Sequence, residues 1–372
     1  MLKQIFQNPK FFGPLLVAIL FIAANLGSTY VIISRSHVEK TLPDGAASLD
    51  LWTENRTFWA SDGNITESSD HIDGIYYGNA SMEFSATNTS SIYALLKDIG
   101  FVNCSGTEGY TKLSFRIKML SPEMMPEKAT VLMLSASPAD YFSRDITETL
   151  ANSSLNVWNN ITLTLASQEW QNNSALVSWE NIVGMRLELV WPSNVTVNVL
   201  VDGLFFHGFF RSLLEDVGTA YLTNYSFRSV MQFAFTLVFV SALIYLLTKN
   251  FGASVTWKPW LIVVGFILIT LVVQAMINAL TLSTLPNVYY PFEYIGGVAG
   301  EGESAYQTIL SQIDIVSQVG MYVQVAIYAW TVALCTVAIH LITEFKWIKS
   351  FLIGTTSYLA GVFATALLLA IL

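Results

Sequence analysis

The sequence predicts a membrane protein of mixed class, with five transmembrane α-helices and one antiparallel β-sandwich outside the membrane. Three observations support this prediction. Of the 372 residues, 53% are hydrophobic and only 12% are charged, whereas a soluble domain has about 25% charged residues. Five uncharged apolar stretches are long enough to cross a bilayer. Between the first and second stretches, short runs alternate apolar and polar residues, as half-buried strands do.

The five apolar stretches are residues 11–34, 229–248, 259–282, 315–343 and 350–372. A helix needs about 20 such residues to span the hydrocarbon core. The first stretch exceeds the usual length of a signal-peptide apolar region and has no small-x-small cleavage site close behind it. We therefore interpret it as an uncleaved anchor. The other four stretches form a four-helix transmembrane domain, residues 229–372.

Lysine placement predicts the side of the membrane on which each loop lies, because cytoplasmic loops are enriched in Lys and Arg. The loop at 283–314 has four acidic residues and no Lys or Arg. The sequence therefore predicts a plasma-membrane protein with residues 1–10 in the cytoplasm, and with residues 35–228 and the C-terminus outside. The lysines at the predicted cytoplasmic ends are Lys3, Lys10, Lys249, Lys258, Lys346 and Lys349.

Sequons for asparagine glycosylation are concentrated in the predicted outer segment. Ten of its fifteen asparagines lie in Asn-x-Ser/Thr sequons, where chance would give about two or three. We expect N-linked glycans there, least of all on Asn224, which is close to the second apolar stretch. So many sequons with only two cysteines favour an archaeal cell surface over a disulfide-rich secretory protein. The ten are Asn55, Asn64, Asn79, Asn88, Asn103, Asn152, Asn160, Asn172, Asn194 and Asn224.

The outer domain, residues 35–207, has the pattern of many short strands. Apolar residues alternate with polar ones over residues 112–119, 161–165 and 195–201, and Pro or Gly interrupts the runs. No long helical pattern occurs in this domain. These features predict an antiparallel sandwich. In the clearest strand, Leu113, Phe115, Ile117 and Met119 alternate with Lys112, Ser114, Arg116 and Lys118.

Three segments show a family resemblance. They are Trp158-Asn-Asn-Ile-Thr-Leu-Thr-Leu, Trp179-Glu-Asn-Ile-Val-Gly-Met-Arg-Leu-Glu-Leu and Val199-Leu-Val-Asp-Gly-Leu-Phe-Phe. Together they resemble the second half of a galactose-binding-like jelly roll, the fold of many carbohydrate-binding modules. The resemblance covers about residues 50–210 and implies a jelly-roll sandwich.

The resemblance also implies a structural calcium ion. In several such modules the aspartate of the last strand, which matches Asp202, helps to hold Ca²⁺. The usual early acidic motif is not recognisable here, and Asp50 is the acidic candidate partner. The alternative is that Asp202 forms a turn with Gly203.

Sugar-binding modules stack pyranose rings on exposed aromatic side chains, because the C–H face of the sugar ring is apolar. Most aromatic residues of the outer domain are expected in its core. Trp170 lies in a polar stretch, and Tyr76 and Tyr77 lie between Gly74 and Gly78. We predict that these three are exposed and bind ligand.

Polar side chains within the apolar stretches are expected to contact other helices. Gln274 and Asn278 share one helix face, and Gln324 is the predicted opposite partner. A substrate path is the less favoured alternative. The absence of charged residues at the middle of these stretches argues against energy-coupled transport. The number of spans and the short loop at 344–349 resemble those of a Yip1-type membrane domain. This resemblance implies that the helices act as a scaffold.

Two connecting segments are also assigned. Residues 208–228 predict a short amphipathic helix that joins the sandwich to the second span, or a plain connector. The loop at 283–314 is rich in Tyr, Gly and acidic residues. It either binds a cation or a partner, or packs against the sandwich as a platform, and the platform is favoured.

The sequence contains no nucleophile elbow, P-loop or dinucleotide fingerprint, so no catalytic residue is predicted. It has no basic cluster that would indicate nucleic-acid binding. The favoured function is a cell-surface binding or structural protein: its sandwich binds glycan or protein, and its helices scaffold a membrane assembly. The expected partners are membrane lipid, N-linked glycans, and other membrane subunits or further copies of the chain. The alternatives are an accessory subunit of a membrane enzyme or transporter, and a membrane-anchored hydrolase.

Overall fold

The computed structural model describes residues 11–44, 50–136 and 139–371. Residues 1–10, which we predict to be cytoplasmic, lie outside the described residues. The chain divides into two compact units. The β unit comprises Val38–Arg211 and Tyr289–Thr308. The helical unit comprises the chain up to His37, Ser212–Val288 and the chain from Ile309.

In the described part of the chain, eleven strands form one sheet. The pairings among β2 to β10 are antiparallel. The strands are β1 (Ser36–Leu42), β2 (Trp59–Ser61), β3 (Asn64–Ser68), β4 (Ser81–Leu96), β5 (Lys112–Ser121), β6 (Lys128–Leu134), β7 (Tyr141–Asp145), β8 (Asn159–Thr164), β9 (Gln171–Asn172), β10 (Gly184–Ser212) and β11 (Val288–Tyr290).

Strand β10 changes partners along its length, and the sheet folds over itself there. Its first part, residues 184–190, pairs with β6 on one side and the end of β4 on the other. The register shifts between Val190 and Val195, around Pro192, which has no N–H to donate. Beyond the shift, residues 198–201 lie between β4 and β5. The result is an antiparallel β-sandwich, as the sequence predicts.

One apolar core fills the sandwich. Leu113, Phe115, Ile117 and Met119 are at most 2% exposed, which confirms the strand predicted over residues 112–119. They belong to one cluster with buried residues of β4, β6, β8 and β10. Burying a large apolar side chain contributes about 1.5–3 kcal/mol, so a core of this kind stabilises the unit while Cys104 remains free.

The other face of β5 is more deeply buried than its polar residues predict. Arg116 is only 3% exposed, because the segment that includes Glu301 covers it. The guanidinium donates two hydrogen bonds to the Glu301 carboxylate, with Nε 3.2 Å from Oε1 and Nη2 paired with Oε2. It also lies over the Tyr77 ring, 4.5 Å from the centroid. The prediction of a half-buried strand is therefore wrong at Arg116.

The covering segment is held at further points. The Phe292 N–H donates to Glu39 Oε2 at 2.7 Å, and the Ile75 N–H donates to the Gly296 carbonyl at 2.8 Å. The Phe292 ring lies 4.6 Å from the Phe205 ring. The predicted loop at 283–314 thus packs on the sandwich, in agreement with the platform interpretation. Its predicted extent is wrong, because the chain is helical again from Glu303.

The helices are α1 (Phe12–Arg35), α2 (Thr147–Ala151), α3 (Leu213–Val217), α4 (Thr219–Asn250), α5 (Trp257–Ile267), α6 (Ile269–Ser283), α7 (Phe292–Ile295), α8 (Glu303–Thr343) and α9 (Trp347–Ile371). Among the described residues, five helical segments are long and apolar enough to cross a membrane: α1, α4, α5 with α6, α8 and α9. Each contains one of the predicted apolar stretches to within a residue. The five-helix prediction is confirmed at the level of length and composition.

The predicted connector at 208–228 is wrong in form. Strand β10 continues to Ser212, and α3 is only five residues long. Gly218, at a φ of 58°, separates α3 from α4, because glycine adopts this left-handed conformation without steric cost. No further Gly or Pro occurs before Gly252, so α4 runs unbroken from Thr219 to Asn250.

We predict that Glu301→Gln destabilises the β unit by roughly 2–4 kcal/mol, because it leaves the buried Arg116 charge without its counter-ion. Hydrogen–deuterium exchange of the intact chain in detergent should show faster exchange at residues 292–301 and in β5. The matched control is Glu188→Gln, which removes an ion pair between two half-buried residues, Glu188 and Arg186, and should cost less than about 1 kcal/mol, because this pair is more exposed to solvent than Arg116. Equal exchange in the two variants would contradict the prediction.

Candidate functional site

Two aspartates that we predict as metal ligands meet inside the β unit. Asp50 and Asp202 are both completely buried. Asp50 Oδ2 and Asp202 Oδ1 accept hydrogen bonds from one backbone N–H, that of Gly203, at 2.6 and 2.8 Å. The Thr53 hydroxyl donates to Asp202 Oδ1 at 3.1 Å, and the Ile72 N–H donates to Asp202 Oδ2 at 2.7 Å. Gly203 has a φ of 60°, so Asp202 both precedes a turn and belongs to an acidic pair.

The pair carries an electrostatic strain that a proton or a cation would relieve. Two carboxylates this close in a dry interior do not both ionise without compensation. Burial, and then the charge of Asp202, raise the pKa of Asp50 well above its usual value. Asp50 Oδ1 is buried and has no hydrogen-bond partner among the described residues.

The donor set fits a calcium ion in part. Ca²⁺ takes about six to eight oxygen ligands, and Asp50, Asp202 and the Thr53 hydroxyl would supply the side-chain share. Among the described residues, no group of three or more His, Cys, Asp or Glu side chains is placed to hold a metal. Backbone carbonyls and water would have to supply the remaining ligands.

The aromatic residues predicted to bind sugar do not form an exposed platform. Trp170 is 8% exposed and Tyr77 is 5% exposed, so the prediction is wrong for both. Trp170 packs edge-on against Trp179, and its indole N–H donates to a backbone carbonyl at the end of β8. Tyr76 is half-buried and stacks on Phe292, with 6.0 Å between the ring centroids. The polar sequence neighbours of Trp170 gave no sign of this packing, because only the folded chain brings Trp179 and the end of β8 against it.

A polar cleft of about 600 Å³ lies along β6 and β7, and our sequence analysis did not identify it. The available signal was the alternation at residues 128–131, where the polar Lys128 and Thr130 alternate with the apolar Ala129 and Val131. The cleft is lined by Lys128 and Thr130 of β6, Ser143, Arg144 and Asp145 of β7, Thr147, Glu148 and Thr149 of α2, and Glu169 and Gln171 near β9.

Ion pairs and hydrogen bonds hold the charged groups of the cleft in place. Arg144 pairs with Glu169, and its Nη1 donates to the Thr164 carbonyl at 3.3 Å. Asp145 accepts hydrogen bonds from the Thr147 hydroxyl and from its backbone N–H, and these lower the pKa of Asp145. The cleft therefore presents an ionised carboxylate and a fixed guanidinium to a ligand. Hydroxyl and amide groups lie between them.

The ten sequon asparagines lie where a glycan could be attached. Nine of them are exposed, and Asn55 is half-buried. The Asn55 side chain accepts hydrogen bonds from the N–H and the hydroxyl of Thr57, the third residue of its own sequon. Asn172, in β9, follows Gln171 of the cleft.

The helical unit brings two of the three predicted polar residues to one cavity. Gln274 of α6 and Gln324 of α8 both line a cavity of about 350 Å³, whereas Asn278 does not. Gln324 Nε2 donates to Tyr328 Oη on its own helix at 2.8 Å, so it does not bond across helices as predicted. Side-chain hydrogen bonds between helices do join Thr270 to Thr331, whose hydroxyl oxygens are 2.7 Å apart, and Thr236 to Thr365.

No family model and no curated protein sequence matches the chain. The Yip1-type resemblance therefore stays a prediction. Solved structures do match, and several of them are β-sandwich carbohydrate-binding modules. The family 11 module from Clostridium thermocellum, in complex with a β-1,3-1,4-mixed-linked tetrasaccharide, is 15% identical; 42% of this chain and 93% of the module are covered, with a TM-score of 0.29. A family 30 module of a cellulosomal cellulase of C. thermocellum is 10% identical over 41% of this chain and 91% of the module, with a TM-score of 0.30.

Proposed function

We propose that the chain is a cell-surface membrane protein whose β unit binds carbohydrate chains in the polar cleft along β6 and β7. The single observation that supports this most is the cleft itself. Its volume of about 600 Å³ lies within the range of small-molecule sites, which is about 300–1,000 Å³. Its donors and acceptors are held on a rigid sandwich.

The lining groups match the chemistry of a sugar. Each sugar hydroxyl donates one hydrogen bond and accepts others, so it pairs with carboxylates, amides and guanidinium groups. Arg144 supplies donors, Glu169 and Asp145 supply acceptors, and Ser143 and Gln171 supply both. No aromatic residue lines the cleft, so we expect hydrogen bonding and not ring stacking to set its specificity.

Hydrolysis is the less favoured use of this cleft. A glycosidase needs one carboxylic acid whose pKa is raised, so that it can protonate the leaving group. The pKa of Asp145 is lowered, and Glu169 is paired with Arg144. Asp145 therefore does not suit the role of the acid, and Glu169 is already engaged by Arg144.

We predict that Arg144→Met combined with Glu169→Gln lowers the affinity for a bound polysaccharide at least about tenfold, which corresponds to the loss of one or two charge-assisted hydrogen bonds. Calorimetry with ligands chosen from a glycan array would measure it on the intact chain in detergent. The matched control is Arg56→Met with Glu67→Gln, which changes two exposed charges away from the cleft. Unchanged affinity in the cleft variant, or no binding on the array, would sink this function.

Sidedness and glycosylation belong to the same proposal. The lysine distribution supports an external β unit, and the exposure of nine sequon asparagines leaves them open to modification. We expect the mass of the chain from its native membrane to fall by one glycan when Asn88→Gln is introduced, and to stay the same for Asn198→Gln, which is not in a sequon. Protease added to whole cells should cleave the β unit. Cleavage only after lysis would contradict this topology.

We infer further that the Asp50–Asp202 pair holds a structural Ca²⁺. The buried, unpartnered Asp50 Oδ1 supports this inference. Without metal, the raised pKa of Asp50 means that its protonated form is the one favoured by folding. This contribution to stability is complete below the pKa of Asp50 in the unfolded chain, near 3.8. It is lost as pH rises through the pKa of Asp50 in the folded chain.

The chain in chelator should therefore lose stability relative to Asp50→Asn as pH rises above the pKa of Asp50 in the unfolded chain, near 3.8. Calcium should raise the melting temperature of the native chain at neutral pH and leave that of Asp50→Asn unchanged. Differential scanning fluorimetry measures both. A melting temperature of the native chain that does not respond to calcium would refute the metal, while the pH difference in chelator would still test the acidic pair.

A further inference from the structure

A cavity of about 350 Å³ lies within the helical unit and has an unusually polar lining for helices of this hydropathy. Residues of α4, α6, α8 and α9 contribute to it. Several of its polar groups satisfy one another: Gln324 bonds to Tyr328, and the Thr236 hydroxyl donates to the Thr365 hydroxyl at 3.4 Å. No Asp or Glu lines the cavity.

Four of the lining side chains have no such partner, and one of them is Tyr358, whose buried hydroxyl forms no hydrogen bond with a described residue. Among the groups that the structure describes, which leave out the side chains of residues 216, 217 and 219, none forms a hydrogen bond or ion pair with the side chains of Arg228, Gln232 or Gln274. In a hydrocarbon environment an unsatisfied amide or guanidinium costs several kcal/mol. A polar molecule in the cavity would remove this cost. Because the only charged group in the lining is the Arg228 guanidinium, that molecule should be an anion.

We propose that this cavity binds the head group of a membrane lipid that carries a phosphate and hydroxyl groups. Arg228 is exposed and lines the cavity, and its planar fork fits two phosphate oxygens. Gln232 and Gln274 then bind head-group hydroxyls. A second cavity of about 260 Å³ shares Arg228 and Leu369, and aromatic and apolar side chains such as Tyr225, Phe227 and Met231 line it. It can hold the part of the lipid next to the head group.

This inference rests on placement of the helices in a membrane and is independent of sugar binding by the β unit. The other candidate occupant is a second copy of the chain, whose own polar side chains would satisfy the amides. A self-associating chain would lose its dimer when Gln232→Leu or Gln274→Leu is introduced. A lipid-binding chain would keep its mass and lose the lipid.

The test uses the full chain in phosphatidylcholine nanodiscs that contain phosphatidylglycerol, with retained lipid counted by native mass spectrometry. Arg228→Gln should weaken phosphatidylglycerol retention about tenfold, as for loss of a charge-assisted pair, and Arg228→Lys should restore part of it. The matched control is Lys249→Gln, at the other end of α4, where the ammonium contacts Tyr245; it should have no effect.

Three results would overturn the proposal. The first is equal retention of phosphatidylglycerol and phosphatidylcholine by the native chain. The second is a dimer that Gln274→Leu dissolves. The third is displacement of the lipid by soluble glycerol 3-phosphate at matching concentration, which would show that a free phosphate compound is the ligand.

Discussion

The Arg116 guanidinium is almost fully removed from solvent, and a buried cation must have a negative partner beside it. Glu301 is that partner, and it comes from a segment 185 residues further along the chain. The pair therefore couples β5 to residues 289–301. Once it forms, the Tyr77 ring and the Phe292 ring are enclosed on the same face of the sheet.

The same face contains a second buried anion with its own partners. Glu39 is 2% exposed, and His207 Nδ1 lies 3.1 Å from its carboxylate. Burial alone would raise the pKa of Glu39, but the hydrogen bond and charge of His207, with the Phe292 N–H, outweigh it and lower the pKa. Glu39 thus stabilises the fold at pH values above its pKa in the unfolded chain, near 4.5. This contribution is lost as pH falls through the lowered pKa of Glu39 in the folded chain. Glu301, through its ion pair with Arg116, and Glu39, through the hydrogen bond that it accepts from the Phe292 N–H, therefore hold one segment on the sheet.

Each site that we associate with function contains hydrogen-bond donors or acceptors that the neighbouring protein groups leave unsatisfied. The cleft along β6 and β7 presents fixed donors and acceptors to solvent. The Asp50–Asp202 pair has one carboxylate oxygen with no partner. In the helical unit, one guanidinium and two amides face a cavity without partners. The unsatisfied atom of the Asp50–Asp202 pair belongs to a carboxylate and the cleft has charges of both signs, whereas the charged group of the helical cavity is the Arg228 guanidinium. These differences suggest a sugar and a cation for the first unit, and an anionic head group for the second.

The sequence by itself determined the helices and strands whose hydrophobic pattern lies within one short segment. The five apolar helices and the strand with Phe115 and Ile117 follow from runs and alternation that need no distant partner. The pairing of Asp50 with Asp202 came from a resemblance and not from any pattern in these residues. Tertiary structure alone decided that Trp170 and Arg116 are buried, that polar residues of β6, β7 and α2 form one cleft, and that Gln232 and Gln274 share a cavity with Arg228. The physical reason is that burial and charge pairing depend on which segments meet in space, and a single sequence records the chemistry of a residue without its distant neighbours.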